Sequence, residues 1–132
     1  MKYLLDSNIC IHFFRGKFNL LQKFENVGKE NLAISEITLL ELIYGAEKSQ
    51  NSIKNYEFIN QFIVDVKVLS ISNTIYRFGK EKAMLSKLGR NISDFDLLIA
   101  CTALENNLIM VTENVGEFIR IQDLTIENWI NR

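Results

Sequence analysis

The sequence predicts an α/β fold built on a mainly parallel sheet of four or five strands. Its apolar residues gather in short runs, "YLLD", "LAIS" and "LIMV", each bounded by polar or turn-forming residues. Such runs mark strands buried on both faces. The segments between them are longer and space their apolar residues as helices do, so strand and helix alternate along the chain.

"KYLLD", residues 2–6, is the first strand. A short helix over residues 8–14 follows and stops at Arg15-Gly16, and a second over residues 19–27 ends at Gly28. Residues 32–35 form the second strand. A longer helix spans residues 36–49 and is apolar around so much of its circumference that it must be largely buried or used in an interface. Another helix covers residues 52–63, and "VKVLS", residues 66–70, alternates as a third strand. Residues 73–88 return to helix, with Ile75, Phe78, Leu85 and Leu88 as the buried stripe and Gly89 closing it. Ser93 starts the next helix, which runs to about Asn106. Residues 108–111 are the fourth strand, and "TIENW" forms a fifth at an edge. Proline is absent, so Gly, Asn and Ser provide the punctuation.

With 132 residues, 48% of them hydrophobic, the chain can bury a sizeable core, and residues 1–132 are expected to form one domain. It has no apolar run long enough to span a membrane and no signal-peptide pattern, which makes a cytoplasmic location the expectation. Cys10 and Cys101 lie in apolar helical segments and read as small core residues. His12 is the single histidine, without a second to share a metal, and is expected to be structural or exposed. The net charge of −1 argues against a simple basic nucleic-acid binder. Acids neutralised by bound cations would leave the remaining surface positive, however, so the balance does not exclude one.

The acids carry more information. Ligands of a parallel sheet bind beyond the carboxyl ends of its strands. The first strand delivers Asp6 there, the second leads to Ser35 and then Glu41, and the fourth leads to Asn114 and Glu117, while Asp94 and Asp96 open the helix before it. Most of these have a capping explanation: Asp6 at a helix N-terminus, and Ser93 to Asp96 and Asn114 to Glu117 at capping-box spacing. Glu41 lies too deep in its helix to cap, amid apolar neighbours, where a carboxylate must be paired, metal-bound or turned to solvent. Two carboxylates about 4 Å apart repel by roughly 4 kcal/mol at an effective dielectric near 20. A cleft gathering several must therefore take up protons or hold cations. An all-oxygen donor set favours Mg²⁺ or Mn²⁺ over Zn²⁺, and such a site suits phosphodiester hydrolysis.

The stretches "YLLDSN", "ISEITLLELIYGAEKS", "ISDFDLLIACTAL" and "VTENVGEFIRI" resemble, in order and spacing, the motifs of PIN-domain ribonucleases, and especially the VapC toxins of bacterial toxin–antitoxin pairs. The resemblance covers essentially the whole chain. It implies an α/β/α sandwich and a Mg²⁺-dependent endoribonuclease, with Mn²⁺ able to substitute. The implied substrate is RNA, often tRNA and in some members the initiator tRNA, whose cleavage stops translation. It further implies a homodimer, neutralised by a VapB-like antitoxin that covers the toxin's groove and reaches operator DNA through its own other end. Carried over by motif, the metal-holding and catalytic acids are Asp6, Glu41, Asp96 rather than Asp94, and Glu117. Asn114 stands where many members have an aspartate; it is taken as a neutral positioning group, which leaves the fourth ligand and a second metal site open. Ser7, Asn8 and Thr38 are placed to orient carboxylates or water, and Arg15, Arg77, Lys80, Lys87 and Arg90 to meet RNA phosphates.

Two rivals remain on the residues alone. Phosphoryl transfer through an aspartyl nucleophile at Asp6 is disfavoured, because Asn8 stands where a second aspartate belongs in one such class and Asp6 is too near the N-terminus for another. A binding module without catalysis draws support from the neutral Asn114 and from the apolar helices between residues 36 and 63.

Overall fold

The computed structural model describes residues 1–132. Five strands, β1 (Tyr3–Leu5), β2 (Leu32–Ser35), β3 (Lys67–Leu69), β4 (Ile109–Val111) and β5 (Ile126–Glu127), pair in the order β3-β2-β1-β4-β5. Every pairing is parallel, including the edge pairing of β5 with β4. Seven α-helices connect or follow them: α1 (Ser7–Phe14), α2 (Leu20–Val27), α3 (Glu36–Lys48), α4 (Ser52–Asp65), α5 (Ile75–Lys87), α6 (Asp94–Glu105) and α7 (Val115–Phe118). Short 3₁₀ turns at Lys29–Asn31 and Ser72–Thr74 complete the chain. Element order and strand positions match the sequence expectation, and the sheet is wholly rather than mainly parallel.

The two-residue period of the strands divides the core. Tyr3, Leu5, Leu32, Ile34 and Val111 point to one face and pack with residues of α1 to α4, among them Ile9, Phe24 and Phe62. Leu4, Ala33 and Met110 point to the other and pack with Leu85 of α5, Leu97 and Ile99 of α6, and Phe118 of α7. Both faces are covered by helices, which is the sandwich. Cys10 and Cys101 are free and buried, one in each half of the core.

One expectation about helix faces meets a correction, and the other keeps its interface alternative. In α5, Ile75 and Leu88 are each 59% exposed, while Glu81 is buried. The face turned to α6 runs through Phe78, Glu81 and Leu85, so it keeps the middle of the expected stripe and admits Glu81 to it. Ile75 and Leu88 lie at the helix ends, and Arg77 makes burial of Glu81 tolerable by pairing with it at 3.4 Å. In α3, Ile37, Leu42 and Ala46 are buried, but Leu40, Ile43 and Tyr44 remain exposed, Tyr44 at 64%.

The strand order places the site. From β1 the chain steps outward through β2 to β3, then returns to add β4 on the other side of β1. The reversal leaves a crevice at the carboxyl ends of β1 and β4, where connections diverge to opposite faces.

Candidate functional site

Asp6 leaves β1 in extended conformation and becomes the N-cap of α1. Its Oδ1 accepts from the Ser7 amide at 2.8 Å, and its Oδ2 accepts from the Thr112 hydroxyl at 2.7 Å. The capping reading of Asp6 is thus realised on one oxygen only; the other is held from β4, across the reversal of the sheet. Ser7, also buried, donates its hydroxyl to Glu41 Oε1 at 2.6 Å, with the Thr38 hydroxyl 3.3 Å away. Thr38 is buried and held in turn, its amide donating to Ser35, the N-cap of α3. Glu41 is only partly buried, so its apolar sequence neighbours do not enclose it.

On the β4 side, Asn114 Nδ2 donates to Glu117 Oε2 at 2.8 Å. Asn114 makes no side-chain cap on α7; its amide group is spent on orienting the glutamate. Ser93 caps α6 by accepting from the Asp96 amide at 3.3 Å. This turns Asp96 toward the acids, whereas Asp94 is exposed and paired with Lys82 at 2.8 Å. The two neighbouring aspartates are separated by the helix itself.

Electrostatics tie the acids together. Asp96 has its carboxyl pushed up to about 6, first by burial, then by the charges of Asp6 and Glu117 and a hydrogen bond to Glu117, with the Ser93 hydroxyl opposing. Burial likewise raises Asp6, against the bonds from Thr112 and Ser7, and the charges of Glu41 and Glu117 add to the rise. The four carboxylates thus influence one another across one crevice, although no three of them stand close enough together to hold a metal ion as they are placed. Like charges hold apart, and Ser7, Thr112 and Asn114 each tether one carboxylate at its own wall. The donor set is all oxygen and acidic, with anions that burden one another, which is the chemistry a hard divalent cation relieves.

A groove of about 1250 Å³ opens from Ser7, Asn8 and Glu41 between α1, α3 and α4, with Phe95 of α6 at its edge. Arg15 lines it, as do Lys48 and Lys54, which sequence reasoning passed over. Asn8 is exposed and lines this groove together with Glu41. Lys80, Lys87 and Arg90 are exposed on α5 and its exit, away from the groove. Arg77 lies between Glu81 and Glu105, at 3.4 and 3.5 Å. Glu105 is nine residues beyond Asp96, about 14 Å along α6, so Arg77 belongs to the far end of that helix. His12 sits 3.5 Å from Glu113 with its Nδ1 buried and without a partner, taking no part in the acid cluster. Thr112 is the site residue that the sequence reading missed. The signal was available: like Asp6, it is the first polar residue after a buried apolar strand.

The family model of the PIN domain matches residues 3–124. The chain is 38% identical to the tRNA(fMet)-specific endonuclease VapC of Shigella flexneri over 130 residues, 98% of each chain. Among solved structures, the DNA-bound VapBC of Salmonella typhimurium superposes with a TM-score of 0.91 at 35% identity, covering 98% of both chains. VapBC2 of Rickettsia felis, bound to a fragment of promoter DNA, gives 0.85 at 32%, covering 98% of this chain and 99% of that one.

Proposed function

The chain belongs to the PIN-domain family, among its VapC ribonucleases, and on that premise we propose how its acidic crevice works. The protein is an endoribonuclease that hydrolyses RNA phosphodiester bonds and depends on a divalent metal. Its substrate is tRNA, with the initiator tRNA first in line given the activity of its Shigella relative. It acts as the toxin of a pair, in the cytoplasm, with residues 1–132 as one nuclease unit. A VapB-like antitoxin neutralises it, and operator DNA is reached only through that antitoxin, in keeping with the DNA-bound VapBC assemblies it resembles. A homodimer is the expected resting form. No helix is long and apolar enough to cross a membrane.

The observation that carries this reading is the mutual burden of the acids: Asp96, raised to about 6, feels both Asp6 and Glu117. Asp6, Glu41 and Asp96 would hold Mg²⁺, with Mn²⁺ able to replace it, and Glu117 would complete the set or serve a second ion. The ion, when bound, lowers the pKa of a water and offsets charge that builds on the scissile phosphate. The protein's part is to aim the carboxylates. Ser7 fixes Glu41, Thr112 fixes Asp6, Asn114 fixes Glu117, and the Ser93 cap fixes the turn that bears Asp96. Water is the nucleophile. No thiol competes for that role, since burial pushes Cys10 upward and Cys101 up to about 12, which keeps both protonated. Arg15, Lys48 and Lys54 along the groove offer cations to flanking phosphates.

The test is cleavage of purified total tRNA by wild type and Asp96→Asn, with Mg²⁺, with Mn²⁺ and with EDTA. Discrete fragments that need the metal and vanish in the mutant support the reading. Intact RNA under all conditions, with no Mn²⁺ bound by calorimetry, removes it.

A further inference from the structure

The last residues of the chain return to the site they helped to frame. After β5, Trp129 packs edge-on against Tyr3 of β1 at 4.9 Å and against Phe24 of α2 at 6.0 Å, and Ile130 is buried. Arg132 then donates through Nε and Nη2 to both oxygens of Glu113, with its guanidinium 5.0 Å from the centre of the Phe18 ring. His12 stands edge-on to the same ring at 4.9 Å and 3.5 Å from the same carboxylate.

Glu113 is the pivot. It lies between Thr112, which holds Asp6, and Asn114, which holds Glu117. Its own side chain turns the other way, toward α1 and the chain terminus. The charges of Arg132 and Glu113 balance, and the fork of two bonds fixes direction as well as distance. A balanced, directional tie with no side chain aimed at the crevice is built for positioning rather than for binding phosphate.

We propose that this carboxy-terminal strap, through the Arg132–Glu113 pair, positions the loop from Thr112 to Glu117 and thereby sets the affinity of the acid site for its divalent ion. The inference rests on the metal-dependent reading given above. Its signature is a sign. Arg132 is a cation near an acidic site, so by charge alone its removal would favour a second cation. As a positioning residue, its removal weakens binding instead, because Asp6 and Glu117 lose their set distance.

The measurement is Mn²⁺ affinity by calorimetry on the full chain, for wild type, Arg132→Ala, Arg132→Lys, and the reversal Glu113→Arg with Arg132→Glu. Melting temperature and tRNA cleavage at saturating Mn²⁺ are followed in parallel. Residues that orient a ligand directly change metal affinity by about 10–100-fold, and one step further out roughly 3–10-fold is expected for Arg132→Ala. The turnover rate at saturating Mn²⁺ stays close to wild type, Arg132→Lys falls between, and the reversal restores affinity. An Arg132→Ala protein with equal or tighter Mn²⁺ binding overturns the proposal. So does one in which only the KM for RNA rises, which would make Arg132 an RNA contact. If wild type itself binds no Mn²⁺, the metal-dependent reading falls first and takes this one with it; if wild type binds and the variants match it, only the strap is refuted.

Discussion

The Thr112 hydroxyl donates to Asp6 Oδ2 at 2.7 Å and accepts from the Asn114 amide at 3.0 Å, joining the ends of β4 and β1 where the sheet reverses its order. One buried hydroxyl thus sets two site residues. Thr112→Val keeps the shape and removes both bonds, leaving Asp6 with the Ser7 amide alone. The expected result is a loss of about 10–100-fold in metal affinity and a comparable loss of tRNA cleavage at subsaturating Mg²⁺, with Thr112→Ser near wild type. Metal titration of cleavage rate for the three proteins checks it.

The raised carboxyls make two opposite pH predictions. In the metal-free site burial and neighbouring acids push Asp96 up to about 6 and also raise Asp6, so metal loading, and with it cleavage at subsaturating Mg²⁺, should weaken as pH drops through about 6. Stability of the metal-free protein runs the other way. A carboxyl whose folded-state pKa lies above its unfolded value stabilises the fold below the unfolded value and loses that contribution as pH rises through the folded one. Asp96→Asn removes the burden. Its melting temperature should match wild type near pH 4 and exceed it by a few degrees at pH 7.5, on the order of one stability increment for a domain of this size. Paired melts in EDTA at both pH values decide it.

Arg77 should behave as a structural residue. It is partly buried and divides its charge between Glu81 and Glu105, and its Nε is buried without a hydrogen-bond partner of good geometry. Arg77→Ala would leave Glu81 buried and unpaired, at a cost of about 2 kcal/mol, less than for a fully enclosed pair. The salt dependence of RNA binding should stay unchanged. Arg15→Ala, by contrast, removes a cation from the groove and should lower that salt slope by about one. Denaturant unfolding and filter binding across a salt series separate the two.

What the sequence disclosed and withheld follows from the range of the forces involved. Strands were legible because a parallel sheet buried on both faces demands unbroken apolar runs, and Asp6 was legible because it interrupts one. Asp94 and Asp96 were not separable by spacing alone; the Ser93 cap and Lys82 divide them in space. Thr112 shares with Asp6 the place of first polar residue after a buried strand, but an uncharged hydroxyl there draws no attention until it meets a partner 106 residues away. The burial of Glu81 in α5 was hidden for a related reason. A helix covered on one side by a single neighbour can bury a glutamate, provided that an arginine one turn earlier pairs with it, and the hydrophobic pattern alone does not register that compensation.

The exposed apolar side chains of α3 supply the last prediction. Leu40, Ile43 and Tyr44 line the groove that begins at Glu41, together with Arg15, Lys48 and Lys54. Such a surface, apolar along its floor and basic at its edge, fits an amphipathic antitoxin segment carrying apolar anchors and acids. Tyr44 lies one turn beyond Glu41 on α3 and lines the same groove, and a Tyr44→Asp change puts a like charge and a desolvation cost against that segment. Binding of the cognate antitoxin should weaken by at least about tenfold, the cost expected when an anchor of an interface is lost, while cleavage of free tRNA, whose phosphates meet the same groove, falls by a smaller factor. Titrating antitoxin into a cleavage assay checks both at once. The mutant should keep cutting at antitoxin concentrations that silence wild type, and equal inhibition of the two would move the antitoxin off this groove.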